Sequence, residues 1–401
     1  MSEDYNQLKS RVSHGEVGIS LLVTSGRNGA NLLQSLLDGH PQVLMIPSYF
    51  WFYFDWEFLL NKSAHKVPRL ITDFLDRSSF SSDTYTTGLG EARDEFFDIQ
   101  RDAMRAELTE MLHDTDRISR ADFLLAIHVA YARVKCLDLN QIRAIVQHHH
   151  FPVGYFGYRY LTHHRPLCMF NTSAVGEYRL RDQMFDDFPK LNIIHMVRNP
   201  FDSYNSMLRS IKNDDGTFDV SAYYFNLFGI LSGYDELTQR VQALPQRFRV
   251  VKFEDLHLRT ENTMRSLAGF LDIDYHPCLL QSTIDGKLWW GNNPQKPING
   301  TSPKMVSEAW RSSLEADSLS LCAGLFNPLA SNFGYQKLSI PQETNANKWI
   351  AHEKTSWLQH LKACFLPGMG FRARLRRVVF FIMYPRMRKK LINHYLNTAI
   401  E

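Results

Sequence analysis

A chain of 401 residues with 44% hydrophobic, 22% charged and 13% aromatic content can bury a large core and hold more than one domain. Its formal net charge of +3 is too small to make nucleic acid the main partner. The five cysteines (Cys136, Cys168, Cys278, Cys322, Cys364) are scattered, odd in number and without a C-x-x-C pair. That pattern fits a reducing compartment better than a disulfide framework and suggests no zinc site.

Met1 to Glu16 is polar and has no apolar signal core. No run of about 18 apolar residues occurs anywhere, so no spanning helix is expected. The chain therefore reads as soluble or peripherally attached, in the cytoplasm or at the cytoplasmic face of a membrane. Val17 to Thr24 reads as a buried strand ended by a turn over Gly26 to Gly29. Ala30 to Asp38 follows as a helix with Leu32, Leu33, Leu36 and Leu37 on its buried face, stopped by Gly39 and Pro41. Gln42 to Ile46 is a short strand. From about 50 to 150 the character changes to an aromatic-rich, helical insertion. Phe97, Met104, Leu108 and Met111 keep one face there, and Ser119 with Asp122 forms a capping box for a helix through Phe123, Ile127 and Tyr131. Strand then resumes at Leu191–Val197 with a helix at Phe201–Ile211. Phe248–Phe253 is another strand, after which Thr260 caps a helix carrying Met264, Leu267 and Leu271. Strand followed by helix, repeated this way, predicts an α/β fold with a parallel sheet covered on both faces. The expected division is one α/β domain over 17–340, with the insertion at about 50–150, and a basic extension over 341–401.

Two turns carry chemistry. Gly26-Arg27-Asn28-Gly29 lets backbone N–H groups face an anion, while the following helix adds its positive end. Arg27, a cation within that turn, has little structural purpose there. It is not a Walker A loop, because G-x-x-x-x-G-K-[ST] is absent. Downstream, the strand Ile193–Val197 stops at Arg198 and turns at Asn199-Pro200 into a helix carrying Ser206, eight positions after the arginine. A guanidinium at a strand end and a hydroxyl on the next helix can share one anion. Two such cradles suggest a nucleotide with phosphates at both ends.

The segment Ser25-Gly26-Arg27-Asn28-Gly29-Ala30-Asn31 through Pro41 resembles the 5′-phosphosulfate loop of sulfotransferases that use 3′-phosphoadenosine 5′-phosphosulfate (PAPS). Arg198-Asn199-Pro200-Phe201-Asp202 through Ser206 resembles their 3′-phosphate motif. Val251-Lys252-Phe253-Glu254-Asp255-Leu256 is similar to the family's strand ending in Y-E-D-L, with Phe253 at the aromatic position. Trp290-Gly291-Asn292 and the later Trp310-Arg311 are similar to its closing region. The four matches stand in the family's order over roughly residues 17–335. The resemblance implies a three-layer, P-loop-like fold and PAPS-dependent transfer of a sulfuryl group to a hydroxyl or amine acceptor. It implies that Gly26, Arg27, Asn28, Gly29, Ala30, Asn31, Arg198, Ser206 and Phe253 bind the co-substrate, with no metal required.

Two departures bear on activity. Hydroxyl residues usual at the Ala30 and Asn31 positions are absent, and Arg27 replaces the catalytic lysine of many members, as in a bacterial-type subgroup. Arg27 is the expected stabiliser of the leaving 5′-phosphate oxygen. The general base is open between His164, beside Phe170-Asn171-Thr172-Ser173, and Glu177. His148-His149-His150 is expected to be a solvated loop rather than a metal site, since adjacent side chains do not converge on one ion. His40 is expected to be structural. Phe371 to Lys390 carries eight basic residues around the apolar Val378–Tyr384. It reads equally as an anionic-membrane contact or as a helix packed on the domain. The acceptor class is a small molecule, a lipid or a glycan. A binding or scaffold protein that has lost turnover is the alternative to an enzyme, ahead of a nucleotide-dependent kinase.

Overall fold

The computed structural model describes residues 2–24, 27–47, 52–76, 89–95, 98–149, 185–211, 230, 244–291, 297–314 and 316–339. His164, Glu177, Gly26, Asn292 and the basic tail over 371–390 lie outside the described residues.

A polar amphipathic helix, α1 (Glu3–His14), precedes the first strand, with Ser2 as its N-cap and Gly15 closing it at φ +80°. Strand β1 (Gly18–Thr24) leads into α2 (Ala30–Leu37) and the short β2 (Val43–Leu44). Helices α3 (Phe52–Lys62), α4 (Val67–Leu75), α5 (Arg101–Met111) and α6 (Arg120–Val134) make up the expected insertion. Strand β3 (Ala144–His149) follows, then β4 (Asn192–Val197) with α7 (Pro200–Ile211), and β5 (Phe248–Lys252) with α8 (Phe253–Leu258) and α9 (Thr260–Leu271). A hairpin of β6 (Thr283–Ile284) and β7 (Lys287–Leu288), the short α10 (Trp310–Ser313) and α11 (Ala316–Asn332) complete the described chain.

The sheet has the order β2-β3-β1-β4-β5, and all its pairings are parallel. Its alternating side chains feed two apolar cores. Leu22, Val146, Ile194, Met196 and Val251 pack with α2 and α9, whereas Leu21, Ile145, Ile193 and Val197 pack with the insertion, α7 and α11. This is the expected three-layer, P-loop-like α/β fold. From β1 the chain passes to the β2 side, and from β4 it passes to the β5 side. The reversal lies between β1 and β4, where open α/β sheets bind ligands beyond the strand ends.

Several local expectations are corrected. His148 and His149 are not in a solvated loop; they are the last residues of β3, paired with Leu22 and Val23 of β1. The central strand β3 escaped notice because the apolar run Ala144–Val146 is too short to stand out from the helical insertion before it. Thr260 is the first residue of α9 rather than its cap: Arg259 holds the N-cap position, and the Thr260 hydroxyl donates back to the Leu256 carbonyl at 2.6 Å. Phe253 does not end a strand but opens α8. Ser119 caps α6 as expected, accepting the Asp122 N–H at 3.1 Å, while the Asp122 carboxylate also accepts from Tyr5 and Lys9 of α1. The aromatics Phe52 and Trp56 pack with Phe74 and Phe123 at centroid distances of 5.4–6.3 Å and are buried, so they form core. His40 is structural, as expected: its Nδ1 accepts the Gln42 N–H at 3.1 Å and its Nε2 lies 3.0 Å from the Asp274 carbonyl.

Candidate active site

The two turns singled out in the sequence follow adjacent strands, β1 and β4. In the first turn Arg27 adopts a left-handed backbone, φ 55°, and Gly29 another, φ 89°, as the N-cap of α2. A non-glycine residue held in that region stores strain of the kind that persists where surroundings fix it. Here Asn28 does the fixing. Its side chain is 1% exposed, and its amide donates to the Met196 carbonyl near the end of β4. Gly29 has no room for a side chain, since a Cβ there would run into the Phe253 ring. Ala30 is the first residue of α2 and is buried; Asn31 follows it, half-buried.

The second turn is braced from behind. Glu254, in the first turn of α8, accepts the Asn199 backbone N–H and the Tyr335 hydroxyl, each at 2.8 Å. Asn199 Oδ1 in turn accepts the Phe201 N–H at 3.0 Å and starts α7. Trp310 packs on Phe201 at a centroid distance of 5.0 Å, and Ser313 donates to Asn205 at 3.0 Å, so the W-R segment of the closing region secures α7. Arg311 points outward to Glu308. Trp290 serves a different purpose, donating to the Gly90 carbonyl at 3.0 Å under the Arg93 guanidinium at 4.4 Å. It ties the part of the insertion between α4 and α5 to the segment that follows the β6–β7 hairpin.

Between the turns the cations converge. Arg27 Nε donates to Ser206 Oγ at 3.4 Å, across 179 residues of sequence. The Arg198 guanidinium lies over the Phe253 ring at 4.3 Å. Surrounding protein lowers the pKa of Arg27, and the like charge of Arg198 lowers it further, although Arg27 keeps one side open to solvent. A guanidinium whose charged form is disfavoured by a second one nearby favours an anion beside it. Asp202, in the first turn of α7, is pushed up to about 6, mainly by burial and further by Glu254 and Glu308, against the opposing pull of Arg198. The carboxylate is therefore protonated more readily than an ordinary aspartate and loses its pull on Arg198 as pH falls through about 6.

Sequence reasoning singled out Arg27, Arg198, Ser206 and Phe253, and the fold brings these four near one another. It missed the brace supplied by Glu254, although the acid stands in the segment similar to Y-E-D-L. It missed His257, one helical turn beyond Phe253, for which no motif signals. It also missed that β3 carries His148 and His149 to the strand ends beside β1. Among the described residues, no group of three or more His, Cys, Asp or Glu side chains could hold a metal ion.

Comparison with known proteins gives one family and several structures. None of the curated proteins matches the sequence. The sulfotransferase domain of the Synechococcus PCC 7002 olefin synthase is similar at 17% identity and a TM-score of 0.49, covering 80% of this chain and 96% of that one. The sulfotransferase domain from the curacin biosynthetic pathway is similar at 14% identity and a TM-score of 0.45, covering 81% and 99%. A sulfotransferase from Mycobacterium avium is similar at 11% identity and a TM-score of 0.32, covering 69% of each chain. The assignment rests on the family model, described as the sulfotransferase family, which matches residues 21–277. Because that match covers more than half of the chain and runs through both anion-facing turns, this protein belongs to the sulfotransferase family.

Proposed function

We propose that the protein transfers a sulfuryl group from PAPS to a hydroxyl or amine acceptor, releasing the sulfated acceptor and 3′,5′-bisphosphoadenosine. The observation that supports this reading is the Arg27–Ser206 contact, which joins the two anion-facing turns into one site flanked by Arg198 and Phe253. In the transfer, the acceptor oxygen or nitrogen bonds to sulfur as the bond from sulfur to the 5′-phosphate oxygen breaks, and the acceptor proton passes to a base. Arg27 stabilises the charge developing on the leaving oxygen. Backbone N–H groups of the Gly26–Asn31 segment hold the 5′-phosphate at the start of α2, with Asn28 as their brace. Arg198 and Ser206 hold the 3′-phosphate, and Phe253 bears on the nucleotide from below Arg198. The base is drawn from His164 and Glu177. Acceptors are small molecules, lipids or glycans, in the cytoplasm, and the basic stretch 371–390 contacts anionic membranes. Ala30, without a hydroxyl, favours the second reading of a nucleotide-binding protein without turnover; turnover of labelled PAPS separates the two.

The nucleotide assignment is tested by calorimetric titration of PAPS and of adenosine 5′-phosphosulfate, which lacks the 3′-phosphate. A guanidinium–phosphate contact contributes roughly 1.5–3 kcal/mol, so the wild type is expected to prefer PAPS by about tenfold or more. Arg198→Ala removes most of that preference and Ser206→Ala a smaller part. Equal wild-type affinity for both nucleotides overturns this reading.

A further inference from the structure

Phe253 is touched from three sides. Gly29 lies against its ring, the Arg198 guanidinium covers it, and His257 meets it nearly edge-on at a centroid distance of 4.3 Å and an interplanar angle of 66°. His257 follows Phe253 by four residues on α8, which brings the two side chains onto one face. The imidazole is only 5% exposed. Its Nδ1 accepts the Ser302 backbone N–H at 2.9 Å, which fixes the tautomer: Nδ1 is bare and Nε2 carries the proton. That Nε2 is buried and has no hydrogen-bond partner among the described residues.

An unmatched buried donor costs about 1–3 kcal/mol, so its retention asks for a reason. A side chain needed only to cap the Ser302 N–H would leave no such donor; an asparagine could accept the same bond. Among the described residues no group bonds to Nε2, while the Phe253 ring touches the imidazole and Arg198 lies over that ring. The nearby positive charge of Arg198 and, above all, burial hold the imidazole down to about 4, so it is neutral and a donor through the physiological range. A phosphate arriving at Arg198 supplies the acceptor that is missing.

We propose that His257 is a specificity-determining residue of the nucleotide site, its Nε2–H donating to the phosphate group held by Arg198. The inference rests on the nucleotide reading above. Because Nε2 is closed to solvent, a phosphate oxygen reaches it as the Phe253 ring edge or the residue 297–302 segment shifts aside. Binding thereby relieves the unmatched donor, and the relief is available only to ligands that carry the phosphate. His257 adds a neutral contact to two cationic ones, favouring an oxygen that Arg198 leaves unbonded.

Two substitutions separate the ring's two nitrogens. His257→Asn keeps an acceptor at the Nδ1 position for Ser302 and removes the distal donor; His257→Gln places an amide donor near the Nε2 position. Calorimetry on the full chain with 3′,5′-bisphosphoadenosine and with adenosine 5′-monophosphate reads the result. The expected outcome is that His257→Asn weakens the bisphosphate about five- to tenfold, leaves the monophosphate unchanged, and that His257→Gln recovers wild-type bisphosphate affinity within about twofold. Bisphosphate affinity unchanged in His257→Asn overturns the proposal, and so does an equal loss for both nucleotides, which marks a purely structural histidine. If His257→Gln does not fold, His257→Asn alone decides by whether its loss is confined to the bisphosphate. A wild type that binds neither nucleotide instead overturns the nucleotide reading itself, whatever the variants do.

Discussion

Arg27 combines three properties that are seldom found together: a left-handed backbone, a pKa lowered by burial and by Arg198, and a hydrogen bond to Ser206 on another element. A residue held at a strained angle next to a like charge is destabilising unless an anion arrives. Arg27→Ala is therefore expected to lower sulfuryl-transfer turnover by about 10²–10³ while weakening the bisphosphate product much less, because the lost donor acts on charge that develops in the transition state. Single-turnover rates and product affinity measured on the same preparation check this. Near-wild-type turnover would reduce Arg27 to a turn residue. Asn28 belongs to the same scale but does a different job. Its buried amide is committed to the Met196 carbonyl, so its part in the site is to set the backbone rather than to meet the ligand by its side chain. The glycine-rich pattern made the turn legible in the sequence; which of its side chains faces inward depended on how β4 ends beside it.

At the scale of elements, α8 is the hub. Its first residue, Phe253, fills the space above Gly29, its second, Glu254, holds the Arg198–Pro200 turn and Tyr335, and its last turn carries His257. Glu254→Ala removes the acceptor of two hydrogen bonds, one from a backbone N–H that has no other partner described, and is expected to destabilise the fold by about 2–4 kcal/mol in denaturant titration. Glu254→Gln, whose single amide oxygen can keep one of the two, should lose roughly half as much. Stability of Glu254→Ala equal to the wild type would remove Glu254 from the brace. The sequence pattern similar to Y-E-D-L announced this segment, yet its strand assignment ran one residue too far. Phe253 follows Val250, Val251 and Lys252 with no turn residue between, so the sequence itself marks no stop to the strand. Only the tertiary packing of Phe253 against α2 shows where the strand stops and the helix starts.

For the whole molecule, the described chain is a single parallel sheet between two apolar cores, with the reversal of strand order at β1 and β4 deciding where the site lies. Among the described residues no helix is long and apolar enough to cross a membrane. The proposed membrane contact therefore rests on the basic stretch 371–390, too short in its apolar centre to span. Co-sedimentation with vesicles containing anionic lipid should fall with added salt and vanish when residues 341–401 are deleted. Equal co-sedimentation of full-length and truncated protein returns the stretch to a helix packed on the domain. The sequence by itself determined the α/β class, the glycine-bearing turn with Arg27, the Arg198-Asn199-Pro200 turn and their family resemblance, because strand-to-helix periodicity and turn chemistry are local. Tertiary structure alone decided that β3 slots between β2 and β1, that Arg27 meets Ser206 across 179 residues, and that His257 is buried with a donor to spare. Those facts depend on which strand ends lie side by side, and strand order is set by long-range burial that no local pattern encodes.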